Sequence, residues 1–309
     1  GEQANLACIA KTQLPVDQLG VSLGPDPPIP AAAVLRVQIP EAVAELPGDV
    51  LLLDDGLIAL DVLEVDPPRV RCRVKTDGTL SDRKGLNRLG GGLSLGALTE
   101  RDRELIGAAA DMDVDFIAVS FCRNAADMDD ARAIARSHGS HAALVAKIER
   151  AEAIENLSEI IEASDVVMVA RGDLGVELPV QNVPPIQKRL VNKCRAAAKP
   201  VIVATQMLHS MIQYPRPTRA EITDIANAIY YRTDAVMLSG ETAYGKYPVE
   251  AVRTMAKTAY EAEVTKLAEN DIRVPYADDD REVTEFLAKQ AVKSSQRLNV
   301  KAIVTDSHT

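Results

Sequence analysis

Five stretches of this chain place ionisable or hydroxyl side chains at the ends of apolar runs of strand length. Asp115 to Phe121 closes around Ser120, and Leu144 to Ile148 contains Lys147 and runs into Glu149. Val166 to Ala170 runs into Arg171-Gly172-Asp173, Pro200 to Ala204 into Thr205-Gln206, and Ala235 to Leu238 into Ser239 and Glu241. Apolar runs of this kind read as parallel strands buried on both faces, and the carboxyl ends of such strands carry the chemistry in barrel folds. A lysine and a glutamate two residues apart on a strand project to the same side, so Lys147 and Glu149 share one pocket wall. Glu149 and Asp173, on adjacent strands, form a carboxylate pair suited to a hard divalent cation whose other positions are filled by substrate oxygens and water. Each signal alone has a plainer reading. Arg171-Gly172-Asp173 could be a strand-to-helix turn with a surface ion pair, Lys147 and Glu149 a structural pair, and Thr205 a strand or capping hydroxyl. Repetition at successive strand ends makes them one constellation, because a parallel barrel brings those ends to a common rim.

The elements that must position these residues can be read from the same pattern. Thr99 followed by Asp102 and Glu104 marks a helix start. Further helices are expected over 125–137, 153–163, 183–197, 219–231 and 248–267, alternating with the five strands. Ahead of this region, residues 1–88 carry short β-like runs at 34–39, 50–53, 57–63 and 70–74, broken by Pro47-Gly48-Asp49 and Asp77-Gly78. They read as a small all-β module, followed by the hinge-like Gly90-Gly91-Gly92. After 267 a polar linker with Asp278, Asp279 and Asp280 leads to an expected helix over 282–298 and a strand over 301–305. The expected domains are thus 1–88, an inserted β module; 89–267, a partial barrel; and 268–309, a linker and the start of another α/β domain. Both ends of the chain read as cut.

Composition narrows the partners. The chain has 309 residues, a formal net charge of -10, 47% hydrophobic and 26% charged residues, which suits a globular protein with a sizeable core. The acidic balance argues against a nucleic-acid footprint, and 3% aromatic residues with no Trp leave no stacking platform. Positive charge for a phosphate ligand must then be local or come from a cation. No apolar run is long enough to span a bilayer and no leader pattern opens the chain, so a cytoplasmic location is expected. Cys8, Cys72, Cys122 and Cys194 are scattered and read as buried free thiols, and His138, His141, His209 and His308 form no ligand pattern.

Five segments also carry a family likeness. Ala146-Lys147-Ile148-Glu149, Met168 to Glu177, Ala204-Thr205-Gln206-Met207-Leu208, Pro215 to Glu221 and Ala235 to Ala243 resemble, in order, the successive signatures of the pyruvate kinase family. Leu53 to Ile58 and Arg83-Lys84-Gly85-Leu86-Asn87 are similar to that family's mobile lid. The resemblance implies an α/β fold: a partial (β/α)8 TIM barrel holding strands four to eight, an inserted small β-barrel lid, and the start of a C-terminal α/β domain. It implies transfer of a phosphoryl group from phosphoenolpyruvate to ADP, giving pyruvate and ATP, with Mg2+ (or Mn2+) and K+. Lys147 matches the lysine that stabilises the moving phosphoryl group and the enolate, and Glu149 and Asp173 match the divalent-ion ligands. Thr205 matches the threonine linked to proton delivery, and Lys84 the lid lysine that reaches the nucleotide phosphates. Gly172 and Asp173 open a turn whose backbone N–H groups would receive the substrate carboxylate.

The resemblance leaves the family's first three barrel strands unaccounted for, with its phosphoryl-gripping arginine and its K+ ligands. A homotetramer is implied for a full-length protein, and no turnover is expected of residues 1–309 alone. Two other readings stand beside it: another metal-dependent barrel that handles phosphoenolpyruvate or pyruvate, such as a carbon–carbon lyase, which would not need the β module, and a degenerate paralogue or truncated product that only binds ligands or partners.

Overall fold

A computed structural model describes residues 6–9, 28–29, 31, 34–38, 47–53, 56–66, 69–79, 86–90, 98–268, 287, 290–291 and 294. In chain order the strands are β1 (Leu6–Ile9), β2 (Pro28–Ile29), β3 (Val34–Gln38), β4 (Val50–Leu53), β5 (Ile58–Asp66), β6 (Arg69–Val74), β7 (Gly78–Thr79) and β8 (Leu86–Arg88). Helices and parallel strands then alternate: α1 (Glu100–Asp111), β9 (Phe116–Val119), α2 (Ala125–Ser137), β10 (Ala143–Ile148), α3 (Ala151–Glu155), α4 (Leu157–Ala163), β11 (Val166–Ala170), α5 (Arg171–Glu177) and α6 (Val183–Ala196). β12 (Val201–Ala204), α7 (Arg219–Tyr230), β13 (Ala235–Met237), α8 (Gly240–Ala243) and α9 (Pro248–Ala268) complete the series.

Two compact units result. The first comprises Gly1–Gln206 and Ala235–Ser239, the second Met207–Asp234 and Gly240–Thr309. The first holds a six-stranded sheet in the order β1-β9-β10-β11-β12-β13, every pair parallel. Strands in sequence order, alternating with helices, make a partial TIM-barrel-like fold. The five residues of β11 are all buried, which is why the sequence shows a continuous apolar run there rather than an alternation. Ala118, Val145, Met168 and Ala204 form one cluster between the strands.

The sheet has one strand more than the sequence reading counted. Residues 1–88 were all expected in the β module, but Leu6–Ile9 pairs in parallel with Phe116–Val119. Leu6-Ala7-Cys8-Ile9 is too short an apolar run to declare its partner, and that partner lies beyond the whole β module in the chain. The expectation of three unmatched barrel strands is reduced accordingly.

The β module is an antiparallel sheet in the order β3-β6-β5-β4-β8, with a two-stranded ribbon β2-β7. β6 alternates strictly, with Val70, Cys72 and Val74 buried and Arg69, Arg71 and Arg73 exposed. The partner strand β5 sets Asp61, Glu64 and Asp66 against those three arginines, with a bulge between Val62 and Glu64. Side-chain period two thus separates an apolar face from a charge ladder.

Helix starts follow their sequence signals. Thr99 and Asp102 form a capping box at α1, Asn124 caps α2 through the Asp127 N–H, and Thr218 and Glu221 form a second capping box at α7. The single helix expected over 153–163 is broken at Asn156 into α3 and α4, and the Asn156 side-chain amide donates to the Arg123 carbonyl at 2.9 Å. In the second unit Glu241 is buried and accepts the Leu208 N–H at 3.0 Å. Cys72, Cys122 and Cys194 are buried free thiols, as expected. No helix among the described residues is long and apolar enough to cross a membrane. The linker at 278–280 and the strand over 301–305 lie outside the described residues; of the helix over 282–298, Leu287, Gln290, Ala291 and Ser294 are described and helical.

Met168 sits at the centre of the sheet cluster with 2% exposure. Met168→Ala is expected to lower the unfolding free energy by about 2–5 kcal/mol, a cost of lost burial plus cavity, read from urea denaturation.

Candidate functional site

The carboxyl ends of β9, β10, β11 and β12 carry the residues singled out above. Lys147, one before the end of β10, donates from Nζ to Ser120 Oγ at 2.8 Å and lies 2.6 Å from Glu149 Oε1. The other Glu149 oxygen accepts the Phe121 N–H at 2.7 Å. Glu149 is fully buried and Lys147 8% exposed, so period-two spacing on one strand has put an ion pair inside the protein. Phe121 reaches Glu149 with a positive φ of 55°, in the left-handed region that a bulky residue occupies only under constraint. Next to it, Cys122 donates from Sγ to the Lys147 carbonyl at 3.3 Å. Burial first, then the charges of Glu149 and Asp127, push the Cys122 thiol far above its ordinary range.

Burial also pushes Glu149 up to about 7; Lys147 opposes that shift and the like charge of Asp173 adds to it. Asp173 lies on the first turn of α5, directly after β11. Glu149 Oε1 is buried without a hydrogen bond, its close neighbour being the Lys147 ammonium in ion-pair contact. Among the described residues no group of three or more His, Cys, Asp or Glu side chains is placed to hold a metal ion. The expected donors, Glu149 and Asp173, are a carboxylate pair, which would leave a bound cation water and substrate oxygens as its other ligands. A buried carboxylate that feels the like charge of Asp173 fits such an ion.

Thr205, directly after β12, completes the group. Its hydroxyl accepts the Gly172 N–H at 2.8 Å, and both Thr205 and Gln206 have positive φ, 69° and 54°. Thr205 is β-branched, so this backbone is strained and must be held. Arg171 holds it: its guanidinium donates to the Thr205 carbonyl at 2.7 Å, and to the Ala204 carbonyl and Gln187 Oε1 at 3.4 Å each. The arginine first read as half of a surface ion pair is a clamp on the neighbouring strand end. Of the two backbone N–H groups expected to receive an anion, that of Gly172 is engaged by Thr205. Ser239 follows β13 in the same unit, whereas Glu241 belongs to the second. Lys84 lies outside the described residues.

One residue carried no role in the sequence reading. Glu177, at the end of α5, is 2% exposed and accepts the Ala151 N–H at 3.0 Å. Its carboxyl is raised to about 7 by burial first and by Glu152, against the Ala151 N–H, Arg150 and the side chain of Asn87. The only sequence signal was a charged residue continuing the apolar spacing of α5.

Removing the Thr205 hydroxyl leaves the Gly172 N–H without its acceptor. Thr205→Val is expected to cost about 1–3 kcal/mol by chemical denaturation, and Thr205→Ser less than about 1 kcal/mol. Glu177 binds its proton more tightly folded than unfolded, so its contribution to stability is full below about 4.5 and lost as pH rises through about 7. Glu177→Gln is therefore expected to gain stability relative to the parent between about pH 5 and 8, by up to about 3 kcal/mol, in thermal or urea melts across pH.

Comparisons with known proteins identify the family. Residues 31–252 match the family described as pyruvate kinase, barrel domain. A pyruvate kinase of Haemophilus influenzae is 48% identical over 269 residues, covering 85% of this chain and 56% of that protein. Pyruvate kinase II of Salmonella typhimurium is 49% identical over 265 residues, 84% of this chain and 55% of its own length. A pyruvate kinase of Thermotoga maritima is 45% identical over 258 residues, 84% and 54% respectively. The chain spans about half the length of the curated relatives it matches. By the family match and by relatives of this identity, the chain belongs to the pyruvate kinase family.

Proposed function

We propose that this chain supplies the catalytic wall of a glycolytic phosphotransferase that moves the phosphoryl group of phosphoenolpyruvate to ADP, giving pyruvate and ATP. The observation that carries the reading is the buried Lys147–Glu149 pair at the end of β10, with Asp173 bearing on it from the turn after β11. Phosphoryl transfer asks little covalent chemistry of a protein and much fixed charge. Lys147, held by Ser120 and Glu149, offers an oriented ammonium to the transferring phosphoryl oxygens and to the enolate oxygen left behind. Glu149 and Asp173 would hold Mg2+ or Mn2+, which when bound neutralises charge on substrate oxygens. Thr205 holds a proton at Oγ1 beside Gly172 and serves the protonation of the methylene carbon. For the substrate carboxylate to take the Gly172 N–H, the Thr205 hydroxyl must turn away from it, which would free that hydroxyl for the proton step. The β module acts as the lid, with Lys84 reaching the nucleotide phosphates, and 268–309 begins the C-terminal α/β domain. K+ and homotetramer formation belong to the full-length protein in this reading, as does a cytoplasmic location.

The full-length protein is to be assayed for pyruvate formed from phosphoenolpyruvate and ADP with Mg2+ and K+ present. Lys147→Met is expected to lower kcat by about 10²–10³-fold or more, the scale set by removing one oriented charge donor. Glu149→Gln and Asp173→Asn are expected to weaken Mn2+ binding by at least about tenfold, measured directly by paramagnetic titration. Absence of pyruvate from the parent protein would end the reading.

A further inference from the structure

Glu177 sits where three segments meet. Its side chain accepts the Ala151 N–H at 3.0 Å, two residues beyond Glu149. The Asn87 side chain on β8, the last strand of the β module, bears on the same carboxyl and lowers its pKa. Its own backbone carbonyl accepts the Gly90 N–H at 2.8 Å, in the turn that leaves β8. Gly90 makes that turn at a φ of 92°, which glycine alone adopts without strain. Glu177 itself ends α5, the helix whose first turn carries Gly172 and Asp173. A second contact joins the same bodies: a Cβ at Gly56, in the β4–β5 turn, would stand 3.7 Å from Val176 Cγ1 on α5.

A buried carboxyl on its own needs only hydrogen-bond partners. Glu177 draws its contacts, side chain and backbone together, from different segments, and those segments carry the candidate cation ligands on one side and the β module on the other. We propose that Glu177 is a positioning residue, tying the base of the β module to the two strand ends that bear Glu149 and Asp173. The proposal rests on the phosphotransfer reading for its kinetic consequence but not for its structural one. When the tie is intact, the module closes over the pocket in one registration; when it is cut, the module loses that registration while the strand ends keep their own bonds through Phe121 and Lys147.

The test uses the full-length protein with Glu177→Ala, Glu177→Gln and Asn87→Ala. Hydrogen exchange by mass spectrometry should rise about tenfold for Glu177→Ala in segments 86–90 and 150–155 together, with the segment over β11 unchanged, the scale expected from losing one or two hydrogen bonds. Glu177→Gln keeps an acceptor and should restore both segments to within about threefold of the parent. In steady state, Glu177→Ala should raise the KM for the nucleotide about fivefold or more at little change in the KM for the enol phosphate, whereas loss of folded protein would lower kcat alone. If Glu177→Ala does not fold, Asn87→Ala cuts the module side only and should raise exchange at 86–90 without touching 150–155. Uniform exchange increases, a response in the wrong segment, or Glu177→Gln behaving like Glu177→Ala would overturn the proposal. Exchange needs no substrate, so a parent protein that made no pyruvate would remove the phosphotransfer reading and still leave the tie to be judged.

Discussion

The contact on which the rest of the site depends is the buried Lys147–Glu149 ion pair, 2.6 Å apart. Taking two opposite charges from water into a protein interior costs several kcal/mol per ion, and their attraction offsets this only if remaining lone pairs and protons are also satisfied. Here they are satisfied in part. Ser120 serves the ammonium and the Phe121 N–H serves one carboxylate oxygen, while the other oxygen has no partner beyond the ammonium 2.6 Å away among the described residues. The upward displacement of Glu149 shows that burial and Asp173 together outweigh the lysine. A hydrophobic pair would hold β10 in the sheet more cheaply, so the ions are better understood as the protein's means of keeping fixed charge at one rim.

Rigidity at that rim comes from strain that neighbouring groups hold in place. Phe121, Thr205 and Gln206 occupy backbone conformations that cost a non-glycine residue of order 1 kcal/mol or more each. Each departure re-aims a group that straight strand geometry would have pointed elsewhere. The Phe121 N–H turns onto Glu149, and the Thr205 hydroxyl turns onto Gly172. Arg171 supplies the counterweight through the carbonyls of Ala204 and Thr205.

Much of this was legible from the residues. The strand and helix alternation from 98 to 268 followed from apolar runs and caps because these are local signals, set by neighbours a few residues away. Lys147 and Glu149 could be paired from period two alone. What the sequence hid depends on distant partners: β1, whose four apolar residues acquire meaning only beside β9; the break at Asn156, whose side chain bonds a carbonyl more than thirty residues earlier; and the work of Arg171, whose charge suggested a surface pair, and of Glu177, both of which the fold uses on backbone groups. Positive φ at Thr205 and Gln206 has no residue signature either, since both types would ordinarily avoid it.

Cys122 adds a chemical consequence. Its sulfur lies one bond length of hydrogen-bonding away from the backbone of Lys147, yet burial and the surrounding carboxylates hold it as the thiol. Only the thiolate attacks peroxides, disulfides and electrophiles. Held as the thiol, Cys122 is expected to react slowly with peroxide or an alkylating agent while the protein is folded, so that inactivation by such agents would begin elsewhere or wait for local unfolding.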